Sequence, residues 1–267
     1  MTPAQRIIKY CAIAFALFLI VSIVGGILGA LSSLSLFVSD GDVGEMKAYA
    51  VTEPVSCLNI DLSGAVLEIR SGDRFSVESN HKYLQTSVRD GELVLEETRP
   101  VFGFHSNGVR VLLTVPKDYS FDRITINAGA GSVRIDTLSC RRLSLDLGAG
   151  EVQIDSLIAS DKGKISGGAG KLTLSGGELN NLEYDMGVGQ VNLKSRLTGD
   201  CDIDCGVGEL NLTLLGDASD YRICLSKGLG SADLDGSSMQ DGGCYGNGDN
   251  RIDIDGGVGA IHVRFDR

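Results

Sequence analysis

Seven Gly-x-Gly motifs run through the second half of this 267-residue chain, and a glycine-rich loop of that kind can cradle a phosphate. Their glycines are Gly129 and Gly131, Gly148 and Gly150, Gly168 and Gly170, Gly187 and Gly189, Gly206 and Gly208, Gly228 and Gly230, and Gly257 and Gly259. The first copy continues Ser132-Val133-Arg134, so the third glycine of a dinucleotide fingerprint is missing. No helical periodicity follows any copy, and this excludes the nucleotide reading. Calcium is the second chemistry, because Gly-Gly-Ala-Gly and Gly-Gly-Val-Gly are similar to a β-roll repeat whose aspartate lies two places after the last glycine. Leu172 and Ile261 stand at that place, and the ligand is lost.

Other groups remain to be weighed. Two places before the motifs stand Asn127, Asp146, Ser166, Asp185, Asp204, Ser226 and Asp255. Stacked in register, Asp185 and Asp204 become neighbours about 4.8 Å apart on an outer face, with Glu183 and Asp202 beside them. Hard oxygen ligands suit Ca²⁺, but a solvated acidic face that resists lateral aggregation explains the row without an ion. Cys201 and Cys205 are separated by about 13 Å of strand, too far for a disulfide or a shared zinc. They read as buried thiols, whereas Cys140, Cys224 and Cys244 can pair through turns. His81, His105 and His262 show no ligand spacing, and no Gly-x-Ser-x-Gly elbow occurs. Acid pairs such as Asp202 and Asp204 recur in several repeats and single out no catalytic site. We therefore expect a protein that is not an enzyme and holds no cofactor or metal. Its net charge of −11 removes nucleic acid as a partner.

The elements that position these residues are strands. First glycines are spaced 19, 20, 19, 19, 22 and 29 residues apart. Before each motif apolar and polar residues alternate, as in Leu143, Leu145 and Leu147, and alternation resumes in pairs such as Val152 and Ile154. Period two places one set of side chains on one face. A unit of about 19 residues cannot bury that face alone, so each must stack on the next. The predicted fold is all-β: a parallel β-solenoid, or β-helix, of about 19-residue coils over residues 121–267, each coil on its successor in sequence. Residues 55–120 read as an irregular β N-terminal part and cap. An antiparallel sandwich of hairpins is the alternative, disfavoured by the fixed period.

One N-terminal transmembrane helix is expected to precede the β domain. Tyr10 to Leu31 holds no charge, and 22 helical residues span about 33 Å. The organisation is then a cytoplasmic tail (1–9), a membrane anchor (10–38), a linker (39–54) and the β regions. Arg6 and Lys9 precede the span, while Asp40, Asp42 and Glu45 follow it, which places the C-terminal domain outside the cell. Gly25 and Gly29 form a small-residue pair through which two such helices could form a weak homodimer. Two segments break the repeat and are candidate binding loops: Gly236–Asn250, with Met239 and Tyr245, and Arg99–Gly108, with Phe102 and Phe104.

The membrane segment, the opening Ile60-Asp61-Leu62, the Val115-Pro116 before the repeats and the serial Gly-Ala-Gly and Gly-Val-Gly coils together resemble the bacterial putative-adhesin domain of unknown function, over about residues 50–267. The resemblance implies a membrane-anchored β-solenoid ectodomain of the bacterial envelope and brings no catalytic residues. The expected role is an adhesin or binding module for an envelope polymer or protein. The alternative is a sensory or regulatory ectodomain in envelope-stress response, which needs a membrane protein partner because a nine-residue tail cannot signal. Orientation is checked with protease added to wall-stripped cells: digestion of the C-terminal domain is expected, and full protection refutes it.

Overall fold

The computed structural model describes residues 43–98 and 108–266. The apolar segment 10–38, Gly25, Gly29, Phe102 and Phe104 lie outside the described residues. Among the described residues, no helix is long and apolar enough to cross a membrane.

Nearly everything described is strand. Seven short strands come first: β1 (Val43–Ala50), β2 (Cys57–Leu62), β3 (Val66–Gly72), β4 (Ser76–His81), β5 (Leu84–Arg89), β6 (Glu92–Glu97) and β7 (Arg110–Pro116). Then β8 (Ser120–Leu174) runs through three motifs without a break. It is followed by β9 (Gly177–Asn180), β10 (Leu182–Asp185), β11 (Val188–Thr198), β12 (Asp200–Asp204) and β13 (Val207–Leu215). The last strands are β14 (Tyr221–Ser226), β15 (Leu229–Leu234), β16 (Ser237–Ser238), β17 (Cys244–Tyr245), β18 (Asn250–Asp255) and β19 (Val258–Asp266). All nineteen belong to one curled sheet.

Alternation builds the interior as the periodicity requires. Leu143, Leu145 and Leu147 are buried before one motif, Val152 and Ile154 after it, and Leu157 and Ala159 beyond the next bend. Burying each such leucine or isoleucine contributes about 1.5–3 kcal/mol. Equivalent residues of adjoining repeats pair in parallel: Asp185 lies opposite Asp204, Gly189 opposite Gly208, and Leu193 opposite Leu212. No antiparallel sandwich is needed to cover them.

The order of stacking departs from the sequence at both ends. Residues Cys201–Leu212 pair not with the sixth repeat but with the seventh, as Ile203 with Ile254 and Leu210 with Ile261. The sixth repeat pairs with the seventh from its other side, as Leu225 with Ile254 and Ala232 with Ile261. The expectation that each coil lies on its successor therefore fails here. The last repeat is inserted between the fifth and the sixth, and the 29-residue interval is the connection that makes this possible. At the other end β2 and β3 stack on the first repeat, while β6 and β7, later in the chain, lie outside them.

Antiparallel strands then close both outer rungs. β5 pairs with β6, and β4 pairs with β7 and carries β1. At the far end β17 pairs with β14, and β16 folds back on β15. An uncovered rung would present a row of free N–H and C=O groups to other chains. Side chains complete the closure. The Glu97 carboxylate accepts a hydrogen bond from the Ser63 N–H at 2.9 Å and faces the His81 Nε2 at 3.3 Å, both side chains being inaccessible. Phe75, Tyr119 and Phe121 stack edge-on at the same end. Opposite them, the buried Tyr221 donates its hydroxyl to the Leu215 carbonyl at 2.5 Å.

Two glycine columns let the rungs approach. A Cβ on Gly187 or Gly206 would sit closer than 3.0 Å to the carbonyl oxygen of the neighbouring rung. The second glycine of each motif has positive φ, as at Gly189 (141°) and Gly208 (140°), a region other residues rarely adopt. Gly187→Val and Gly206→Val should each cost about 3 kcal/mol or more, lowering Tm by roughly 6–12 °C. Gln190→Val, on the outer side, should stay within about 0.5 kcal/mol. Equal melting temperatures in calorimetry would contradict this.

Candidate binding surface

The residue between the two glycines is apolar in every repeat, exposed at the corner in four of them and partly exposed in the other three. In spatial order these are Ala130, Ala149, Ala169, Val188, Val207, Val258 and Leu229. Val188 and Leu229 are 41% and 53% exposed. Beside this ridge the glycines carry no side chain, and an open groove reaches Leu147, Val152 and Leu172 of the interior. The other twelve motif glycines occupy the same two columns as Gly187 and Gly189.

Two carboxylate columns flank the ridge on the strand before the corner. Register places Asp185, Asp204 and Asp255 in one, and Glu183, Asp202 and Asp253 in the other. The pairing of Asp185 with Asp204 was legible in the 19-residue period. The inclusion of Asp253 and Asp255 was not, because sequential stacking would have put Cys224 and Ser226 next to Asp202 and Asp204. Lys162 bonds Glu183 at 2.5 Å, and the Arg251 Nε bonds Asp253 at 2.8 Å. Partial desolvation, then the carboxylates of Asp255, Asp185 and Asp202, hold the Asp204 carboxyl above its ordinary value. No group of three or more His, Cys, Asp or Glu among the described residues is arranged to hold a metal ion.

After the corner, the outer face carries a bonded polar network. Asn211 Nδ2 donates to Asn192 Oδ1 at 3.1 Å and to Glu209 Oε1 at 2.7 Å, and Gln190 Nε2 donates to Glu209 Oε2 at 3.4 Å. His262 and Asp233 bond each other in the same row. The two stand at equivalent places in consecutive repeats, five residues after the first motif glycine, but the 29-residue interval between those repeats hides the correspondence in the sequence.

The loop Gly236–Asn250 is a clasp on the outermost rung. Cys224 and Cys244 form a disulfide, which decides among the pairings left open by sequence. Leu225 N–H donates to Gly243 O, and Gly242 N–H donates to Leu225 O, both at 2.9 Å. Met239, expected as a surface contact, is 2% exposed and belongs to the core, where an unbranched side chain fills the open end of the stack. Tyr245 is half-buried against that core, and its hydroxyl accepts the Gln240 N–H at 2.5 Å. The loop is thus a cap as much as a candidate site. Cys140 and Cys201 are buried free thiols, pushed up to about 12 and about 11 by burial; Cys205, half-buried, is likewise raised to about 11.

A family profile described as Toastrack DUF4097 matches residues 55–241. Among solved structures, a putative cell adhesion protein from Clostridium sporogenes is 16% identical, covering 83% of this chain and 99% of that one, with a TM-score of 0.38. A putative adhesin from Bacteroides fragilis is 14% identical, covering 82% and 96%, with a TM-score of 0.43. A putative lipid binding protein from Parabacteroides distasonis is 16% identical over the same shares, with a TM-score of 0.34. No curated protein sequence matches the chain.

Two outcomes follow from the charges and the clasp. A carboxyl whose folded pKa is raised opposes folding once ionised, so stability falls as pH rises from the unfolded value through the folded one. Asp204→Asn should therefore raise Tm at pH 7, and the gain should vanish as pH drops below about 4; an unchanged or lowered Tm at pH 7 is the contrary result. Removing the disulfide as Cys224→Ser with Cys244→Ser should cost about 3 kcal/mol for a loop of this length, measured by denaturant titration. No loss would show that the clasp holds without it.

Proposed function

The chain belongs to the Toastrack DUF4097 family, and from that premise we propose that it is a non-enzymatic surface protein of the bacterial envelope whose ectodomain binds an extended envelope partner. In this reading the β domain is a parallel solenoid closed at both ends, carried outside the cell by the apolar segment 10–38. The observation that carries it is the in-register repetition of outward rows. The ridge, the carboxylate columns and the amide network each recur from rung to rung at about 4.8 Å. A surface that repeats along one axis offers a long partner the same contacts many times over, and each contact can be weak.

The disulfide between Cys224 and Cys244 supports the extracellular placement, since such bonds persist in oxidising compartments. The basic residues before the apolar segment and the acids after it support the same orientation. Pull-down of the full chain from membranes tests the binding role. Wall polymer should co-purify without a stoichiometric membrane protein. A stoichiometric membrane partner in place of polymer would overturn it in favour of a sensory role, and hydrolysis of the polymer would overturn the non-enzymatic reading.

A further inference from the structure

Buried tyrosine hydroxyls usually find a hydrogen-bond partner. Tyr221 donates to the Leu215 carbonyl and Tyr119 to the Val55 carbonyl. Tyr184, 2% exposed, is the exception, because its hydroxyl bonds no described residue. A missing side chain sets where that hydroxyl points. In the inward column one place before the motif, Leu147 and Met186 are buried, and Gly167 lies between them. A Cβ on Gly167 would stand 3.3 Å from the Tyr184 hydroxyl. The hydroxyl therefore borders the space that leucine and methionine fill in the adjoining rungs. Gly167 has no positive φ, so the backbone does not demand glycine at this place.

The gap opens on the groove beside the ridge. The cavity there holds about 50 Å³, room for a group of a few heavy atoms rather than a whole ligand. Leu147, Leu172, Met186 and Val191 wall it, and the exposed Lys171 lines it as well. Burial, with the Cys205 thiol adding to it, raises the Tyr184 hydroxyl above its ordinary value. The hydroxyl is thus protonated at neutral pH and free to donate.

Resting on the binding role proposed above, we propose that this gap takes an acetamido group of an N-acetylated envelope polymer. Its carbonyl oxygen accepts the Tyr184 hydroxyl, and its methyl lies against Leu147 and Leu172. The walls select that group over others. A carboxylate would bury its charge among apolar side chains. A sugar hydroxyl would bring a donor together with its acceptor, and Tyr184 serves only the acceptor. An acetyl group brings one neutral acceptor on a small apolar body. A long acyl chain carries the same carbonyl but needs a larger cavity. Lys171 forms no ion pair with a described residue, and its ammonium is available to hydroxyls of the same polymer.

Binding of wall polymer by the full chain tests this, with the polymer offered as isolated, N-deacetylated, and N-acetylated again with acetic anhydride. The first and third should bind alike, and the second about tenfold more weakly, as expected for one lost hydrogen bond. Tyr184→Phe should weaken binding of the isolated polymer several-fold yet leave Tm unchanged, because the hydroxyl it removes has no partner in the protein. Gly167→Ala, which puts a methyl into the gap, should weaken binding as well. Equal binding of all three polymers, or unchanged affinity in Tyr184→Phe, would overturn the proposal and leave the binding role standing. No binding of any polymer would overturn both. A lowered Tm in Tyr184→Phe would show that the hydroxyl serves the fold through bound water, and displacement of the polymer by palmitate would assign the groove to a lipid chain. Either result overturns the proposal.

Discussion

Everything in this molecule depends on how closely one backbone can approach the next at a corner. Parallel strands about 4.8 Å apart are ordinary along a flat face. At a sharp bend the carbonyl oxygen of one rung points into the space a Cβ on the next would fill, as for Gly187 beside Gly168 and Gly206 beside Gly187. A side chain there would force the rungs apart and break the register of both adjoining faces. The glycine that follows adopts a positive φ, and its freedom carries an entropic cost in the unfolded chain. The interior offsets that cost, because rungs held at this distance bury their apolar residues completely, as at Ile203, Leu210 and Leu212.

A stack so built has two open ends, and the chain closes both by the same stratagem. A rung is placed out of sequence order, and antiparallel strands from the intervening segment cover its outer edge. β4 and β5 do this beside β6 and β7, and β16 and β17 beside β14 and β15. Because the intervening segment must reach the outer edge and return, the interval between the sixth and seventh motifs is long. The same insertion brings Asp253 and Asp255 beside Asp202 and Asp204. Closing the end thus raises the charge density on one face, and Asp255 adds to partial desolvation in holding the Asp204 carboxyl above its ordinary value.

The all-β character, the parallel pairing of equivalent residues and the inward rows were legible because each rests on a local period of two within a longer period of 19. Asp185 beside Asp204 followed from the same arithmetic. What was not legible depends on contacts that no period encodes. Nothing near Leu229 or Val258 in sequence tells which of the two rungs is outermost. Met239 lies in a glycine-rich loop and looks exposed, yet the open end of the core draws it in. The buried pair of His81 and Glu97 and the half-buried pair of His262 and Asp233 each join residues brought together only by the stack. Cys224 and Cys244 were two of three candidates until the clasp placed them opposite each other.

In this stack the last repeat is an inner rung and the sixth is the outer one. Amide hydrogen exchange on the full chain tests it most directly. An inner rung has bonded neighbours on both sides, so its amides open only with the body of the stack. The amides of β18 and β19, although nearest the C-terminus, should exchange more slowly than those of β14 and β15. Fast exchange in β18 and β19 with slow exchange in β14 and β15 would contradict this order and mean that the repeats stack in sequence.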